Sequence, residues 1–350
     1  MKKITAISMF SGGGIGEYYL NECGIEVVGA SELIKSRSDF YQWLHKPLKM
    51  VGDITTDDNF NSLLELTKSN NCKLLLATPP CQGMSSLGKK DYDSDPRNYL
   101  IFYVIKMMNM HDFDYVLIEN VPKFIKLFFP YNNSLYSLEE ILNLEFGNKY
   151  NIYVDILNAE NYGVPQSRPR SIIRVAKKNL GWLLPDEEKQ ISLREAIGHL
   201  PPLESGESSI YKWHYAKLHN PRETLAMRHT PEGKSAMTNE EYYPKKENGE
   251  KIKGFHNTYK RMRWDLPSPA RAMNNGNMGG HNNVHPGRKL RDGTYSDARV
   301  LTLRELFIVS TLPADIDLPD WASDNLIRQV IGEGVPPLFL KKILCGINKS

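Results

Sequence analysis

Cys81 sits where a thiol can do chemistry. It follows Ala77-Thr78-Pro79-Pro80, so an apolar run ends on two prolines and presents the cysteine on a stiff turn. A thiolate is a strong nucleophile once its pKa is lowered, although a lone cysteine is commonly a small buried hydrophobe. Glu119 ends the apolar run 115–118 in a similar way. A carboxyl partly desolvated at a strand end has a raised pKa and holds a proton near neutral pH; an ordinary strand-end acid is the plain alternative. Gln166, Arg168 and Arg170 alternate along an extended segment. Their side chains are expected on one side, as a polar, cationic row suited to phosphate or to a base carbonyl.

A second constellation points to a nucleoside-bearing ligand. Phe10-Ser11-Gly12-Gly13-Gly14-Ile15-Gly16-Glu17 follows the first apolar run. Glycines at a strand-to-helix turn let the backbone approach a ligand closely, and a helix start favours electron-rich groups. A tight turn explains the same residues without a ligand. Glu32 ends the second apolar run and is suited to ribose hydroxyls. Asp53, in Gly52-Asp53-Ile54, is placed to take an adenine amino group. Together these describe an adenosine-type pocket. They do not make a G-x-G-x-x-G fingerprint, because Glu17 stands where the third glycine belongs.

The elements that must hold these residues are legible in the first half. Runs 4–10, 25–30, 73–77 and 115–118 read as buried strands, and 15–22, 34–44, 57–68 and 99–110 carry helical patterns. Such alternation predicts an α/β fold with a doubly wound parallel sheet, which binds ligands at the carboxyl ends of its strands. A strand is also expected over 171–176. From about 180 to 300 the pattern dissolves into turn signals such as Pro201-Pro202, Pro231-Glu232-Gly233 and Asn274-Asn275-Gly276. Regular structure returns at 301–309 and in a last helix near 336–344. The expected organisation is one domain from 1–178 with 318–350, and a smaller, loop-rich one from 179–317.

Composition bounds the rest. The chain has 350 residues, 41% hydrophobic and 24% charged, which is ordinary for a soluble globular protein. No apolar run approaches the roughly 20 residues that span a bilayer. The four cysteines, at 23, 72, 81 and 345, form no C-x-x-C pair or zinc-spaced cluster. Free thiols in a reducing compartment and no metal are expected. The net charge is +3, but basic residues cluster at 168–178, at Lys260, Arg261 and Arg263, and at Arg288, Lys289 and Arg291. Each cluster alone is a solvated face; three in one chain favour a phosphate-bearing partner.

Phe10-Ser11-Gly12, Pro80-Cys81-Gln82, Glu119-Asn120-Val121, Gln166-Ser167-Arg168-Pro169-Arg170, Arg304-Glu305 and Gly332-Glu333-Gly334-Val335-Pro336-Pro337 occur in this order. The set resembles DNA cytosine-5 methyltransferases of the bacterial restriction-modification type. The chain departs from that pattern at Ile15, where a glycine is usual, and at Glu333, where asparagine is usual.

The resemblance implies a Rossmann-like S-adenosylmethionine-dependent methyltransferase sheet with a smaller DNA-recognition domain. It implies methyl transfer to carbon 5 of a flipped-out cytosine in double-stranded DNA. Cys81 is then the nucleophile, Glu119 the group at ring nitrogen 3, Arg170 a support for the base carbonyl and Arg168 a positioning residue. Cofactor contacts are expected at Phe10, Gly12, Gly14, Glu32, Asp53 and Pro80, and DNA contacts at Gln82, Ser85, Gln166, Arg261, Arg263, Asn275 and Arg288. A cytoplasmic, nucleoid-associated enzyme of bacterial or phage type is expected, with a cognate restriction endonuclease as a possible partner. Three alternatives stand beside this reading: a transfer-RNA cytosine-5 methyltransferase, a nicotinamide-dependent oxidoreductase and a catalytically silent DNA-binding protein.

Overall fold

The computed structural model describes residues 3–80 and 96–348. The four apolar runs become β1 (Ile4–Met9), β2 (Ile25–Ser31), β4 (Leu74–Ala77) and β5 (Tyr115–Asn120), and a short β3 (Lys49–Val51) joins them. Between them run α1 (Lys35–His45), α2 (Asp57–Ser69) and α3 (Ile101–Met110). After β5 come a hairpin of β6 (Phe128–Tyr131) and β7 (Ser134–Ser137), then α4 (Leu138–Phe146) and β8 (Tyr150–Asn158). The two-residue β9 (Gln166–Ser167) precedes β10 (Pro169–Lys177). Seven strands form one sheet in the order β3-β2-β1-β4-β5-β10-β8. The first five are parallel neighbours, and β10 runs antiparallel to both β5 and β8.

Apart from the short edge strand β3, the parallel strands are largely buried on both faces, which is why they read as apolar runs. Ile7, Met9, Leu75, Val116 and Ile118 pack with Phe60 and Leu63 of α2 and Val104 of α3. Thr56 caps α2 and Ser137 starts α4 with a full capping box to Glu140. The helix expected over 15–22 is instead two 3-10 turns, Ile15–Glu17 and Leu20–Cys23. Gly14 at φ 74° and Gly24 at φ 72° bracket them in the left-handed region, and Glu17 turns inward to a buried network described below. The free-thiol expectation is corrected at two cysteines: Cys23 and Cys345 form a disulfide. Their separation in sequence hid a pairing that only the fold creates. Cys72 is free and buried.

The chain divides into two compact units. Unit 1 comprises Met1–Asn158, Pro169–Asp186 and Phe339–Ser350; unit 2 comprises Ala159–Arg168 and Glu187–Leu338. The segment 318–338, expected with the first domain, thus packs with unit 2.

Unit 2 carries β9, β11 (Ser268–Pro269), α5 (Leu193–Ile197), α6 (Pro221–Arg228), α7 (Leu303–Val309) and α8 (Asp324–Glu333); α9 (Pro337–Leu344) begins in it and ends in unit 1. Much of its backbone is irregular, so many carbonyls lack a ladder or helix partner, and buried carbonyls need one. Buried guanidinium groups provide it. Arg168, Arg261, Arg271, Arg299 and Arg328 are all fully enclosed and donate to main-chain oxygens. Among the described residues, no helix is long and apolar enough to cross a membrane, and no cluster of three or more His, Cys, Asp or Glu is arranged to hold a metal.

Candidate active site

The chemistry-bearing residues of unit 1 converge on the carboxyl ends of its parallel strands. Phe10 leaves β1 at φ 61°, a conformation that non-glycine residues rarely adopt. Three polar contacts hold it there. Its N–H donates to Ser31 Oγ at 3.2 Å, its carbonyl accepts from Thr78 Oγ1 at 2.7 Å, and the next N–H, of Ser11, donates to Ser31 O at 2.9 Å. The glycine turn is thereby stitched to the ends of both β2 and β4.

Glu32 follows β2 and bridges backbones. One carboxylate oxygen accepts from Gly12 N at 2.9 Å and the other from Ile34 N at 2.8 Å, at the start of α1. Asp53 uses one oxygen, Oδ1, to accept from Thr55 N at 2.9 Å and Thr55 Oγ1 at 2.7 Å. Leu33, beside Glu32, is 70% exposed. The sequence reading missed it, because an exposed leucine has no signature until the sheet edge around it is known. A half-buried carboxylate, a second acid, an exposed apolar side chain and a glycine turn fit an adenosine-bearing ligand. An ideal Cβ on Gly12 would meet nothing within 4 Å, so that side of the turn is open.

The second half of the site lies where β4 and β5 end. Pro79 and Pro80 continue β4, and Asn120 Nδ2 donates to Pro79 O at 2.9 Å. Asn120 Oδ1 also accepts from Val121 N at 2.8 Å, so one side chain fixes the ends of two strands. Asn120 was quoted in the sequence only as part of a motif; its role needs the β4–β5 pairing to be seen.

Glu119 is 8% exposed. The antiparallel register sets Ile172 of β10 against it, which brings Arg170 within reach: Arg170 Nε lies 2.8 Å from Glu119 Oε1. The carboxyl expected to be merely desolvated therefore faces a guanidinium. Pro80 is half-buried at the edge of the described residues. Cys81, Gln82 and Ser85, three of the predicted site residues, lie outside them.

The expected row of Gln166, Arg168 and Arg170 does not form. Only Arg170 joins Glu119. Arg168 is 2% exposed and donates to the carbonyls of Arg271, Gly332 and Glu333 at 2.8, 3.0 and 2.9 Å. Gln166 is 1% exposed, donates to Val309 O at 3.2 Å and accepts from Arg271 N at 3.3 Å. Both are internal braces of unit 2. Alternation holds within a continuous strand, but here β9 pairs with β11 while β10 joins the main sheet.

Of the expected DNA contacts, Arg261 and Asn275 are buried in the same way, whereas Arg288 and Arg263 reach the surface. Arg261 is 1% exposed and donates to the carbonyls of Met227, His285 and Asp297. Asn275 is 3% exposed and holds the carbonyls of Ala272 and Arg328, each at 2.8 Å. Arg288 is partly exposed but pairs with Asp297 at 3.0 Å and donates to Leu200 O. Arg263 alone of these is well exposed, with Asp265 as its partner.

Comparison with known proteins agrees with this geometry. A family model described as C-5 cytosine-specific DNA methylase matches residues 4–349. The Type II methyltransferase M1.HgaI of Avibacterium volantium is 48% identical over 347 residues, covering 98% of this chain and 97% of that protein. The Type II methyltransferase M1.HphI of Haemophilus parahaemolyticus is 28% identical over 354 residues, covering 99% and 87%. Among solved structures, a prophage-encoded E. coli protein described as a DNA modification methyltransferase superposes with a TM-score of 0.69 at 16% identity, covering 99% of both chains. A Spodoptera frugiperda DNMT2 variant gives 0.64 at 17% identity, covering 98% of this chain and 99% of that one. At such identities the structural likeness is one of fold.

Proposed function

Because this chain belongs to the C-5 cytosine-specific DNA methylase family, we propose that it modifies one cytosine of a specific duplex sequence through a covalent adduct between Cys81 and carbon 6. It is a DNA (cytosine-5-)-methyltransferase whose cofactor is S-adenosylmethionine. The 48% identical relative is a Type II methyltransferase, and we assign this chain the same place: the modification enzyme of a restriction-modification system, acting on cytoplasmic DNA beside a cognate endonuclease.

The carrying observation is the Glu119–Arg170 pair set beside the Asn120–Pro79 bond. Together they fix an acid, a guanidinium and the prolines leading to Cys81 at adjoining strand ends. When bound, S-adenosylmethionine supplies an electrophilic methyl group; Phe10, Gly12, Gly14, Glu32, Asp53 and Pro80 are the residues that would hold it. Carbon 5 of cytosine is a poor nucleophile. Addition of the Cys81 thiolate to carbon 6 makes it enamine-like, splitting one hard step into two. Glu119 hydrogen-bonds or protonates ring nitrogen 3, and Arg170 orients Glu119 and supports the base carbonyl. Loss of the carbon 5 proton and expulsion of Cys81 then restore the aromatic ring. The target base must leave the helix to reach such a site, at a cost of a few kcal/mol.

The test uses duplex DNA with 5-fluorocytosine at the target. Fluorine replaces the proton that must leave, so Cys81 stays bonded after methyl transfer. The wild type should be trapped and Cys81→Ser should not, with nearly all turnover lost. Undiminished methylation by Cys81→Ser would refute the covalent route. Replacing the duplex with transfer RNA tests the alternative polymer.

A further inference from the structure

α1 grips the glycine turn at both of the helix's own ends. At its start, Glu32 links Ile34 N to Gly12 N. At its end, His45 Nε2 lies 2.8 Å from Gly14 O and donates to it. Gly14 has φ 74°, and a Cβ there would meet His45 at 2.5 Å and Tyr41 at 2.6 Å. The contact is thus close enough that only glycine fits. One turn back along α1, Tyr41 OH donates to Glu17 Oε2, while Ser8 Oγ of β1 donates to Glu17 Oε1 at 2.6 Å. The Tyr41 and His45 rings stand 4.6 Å apart.

Glu17 is thus a carboxyl buried directly behind the turn, and it forms no ion pair with a described residue. The groups facing it are the Ser8 hydroxyl from β1 and the Tyr41 hydroxyl from α1, with His45 a turn further along. Methyl transfer as described above has no use for it. A buried carboxyl with hydrogen-bond partners but no described counter-charge is costly in its ionised form.

We propose that Glu17, Tyr41 and His45 are positioning residues which hold the Gly12–Gly14 turn in its cofactor-binding form, and that the proton on Glu17 sets how firmly the turn is held. This rests on the reading that the turn binds S-adenosylmethionine. With Glu17 neutral, carboxyl and hydroxyls share hydrogen bonds without a buried charge. With Glu17 ionised, both hydroxyls must donate to a charge that no described cation offsets, and the turn built over it loosens. Burial raises the Glu17 pKa to about 7, against the favourable hydroxyl contacts; the change therefore falls in the working range. His45 is neutral there, since burial lowers its pKa to about 4. It acts as a hydrogen-bond donor, not as a charge.

Linkage makes this measurable. If protonation of Glu17 favours the cofactor, cofactor binding must take up protons near pH 7. Titration calorimetry of the full chain with S-adenosylmethionine, in buffers of different ionisation enthalpy, reads that uptake. The wild type should bind more weakly as pH rises from 6 to 8.5, by about fivefold, with proton uptake near pH 7. Glu17→Gln keeps an amide able to bond both hydroxyls, so it should bind with little pH dependence and no such uptake. His45→Ala should raise the KM for cofactor more than it lowers kcat, and His45→Gln should restore part of it.

Glu32→Ala separates the two levels. If it leaves cofactor affinity unchanged, the cofactor site itself is misplaced. If it weakens binding while Glu17→Gln retains the wild-type pH profile and proton uptake, the positioning role of Glu17 is overturned.

Discussion

Arg170 Nε stands 2.8 Å from Glu119 Oε1, with side chains only 14% and 10% exposed. A pair this enclosed is weakly screened, and removing one partner leaves the other charge without compensation. Glu119→Gln should slow methyl transfer by ~10²–10⁴-fold, the usual worth of a positioned acid, and also lower the denaturant midpoint. Adding Arg170→Gln should recover part of that stability and none of the rate. Recovery of rate in the double variant would show that the pair serves folding alone.

Asn120 ties the end of β5 to Pro79. Asn120→Ala should let the turn after β4 drift and cost ~10²-fold in kcat, the scale of a misplaced reacting group. Cofactor affinity should fall far less, because the Gly12, Glu32 and Asp53 contacts are untouched and only Pro80 lies on that turn. Equal losses in kcat and cofactor binding would contradict a local role.

Arg261 and Arg263 are near neighbours in sequence with opposite fates. Arg261→Lys should lower thermal stability, since a lysine cannot span the carbonyls that the guanidinium fork reaches, each worth ~1–3 kcal/mol if left unpaired. Its DNA affinity should keep the wild-type salt slope. Arg263→Ala should leave stability within ~0.5 kcal/mol and, if Arg263 meets a phosphate, reduce the slope by about 1. Measuring both proteins across a salt series separates brace from surface cation.

His285 is 1% exposed, and burial, helped by Arg299, lowers its pKa to about 4 against the opposing pull of Asp297 and Glu305. Its Nδ1 accepts from Gly287 N at 3.1 Å, so Nε2 carries the hydrogen. The unfolded chain binds this proton more readily, from pH 6.5 downward. Stability from His285 is therefore complete above about 6.5 and is lost as pH falls towards 4. His285→Gln should make the fall shallower in that window, by up to about 1.4 kcal/mol per pH unit. Parallel curves for variant and wild type would rule the assignment out.

The sequence alone determined the family and marked the candidate residues along the chain. Cys81, Glu119, Glu32 and Phe10 stand at or just beyond the ends of apolar runs, and a run buried on both faces announces itself by composition without any partner. Ordered motifs then named the family. The tertiary structure decided what each charge does. Arg168, Arg170, Arg261 and Arg263 look alike as residues, yet three-dimensional packing makes one a partner of Glu119, two internal braces and one a surface cation. That outcome depends on which distant carbonyls lack partners, and on the register of β10 against β5. The Cys23–Cys345 disulfide and the closure of α1 onto Gly14 are hidden for the same reason. Local pattern records a residue's neighbours in the chain, whereas burial and hydrogen-bond demand are set by neighbours in space.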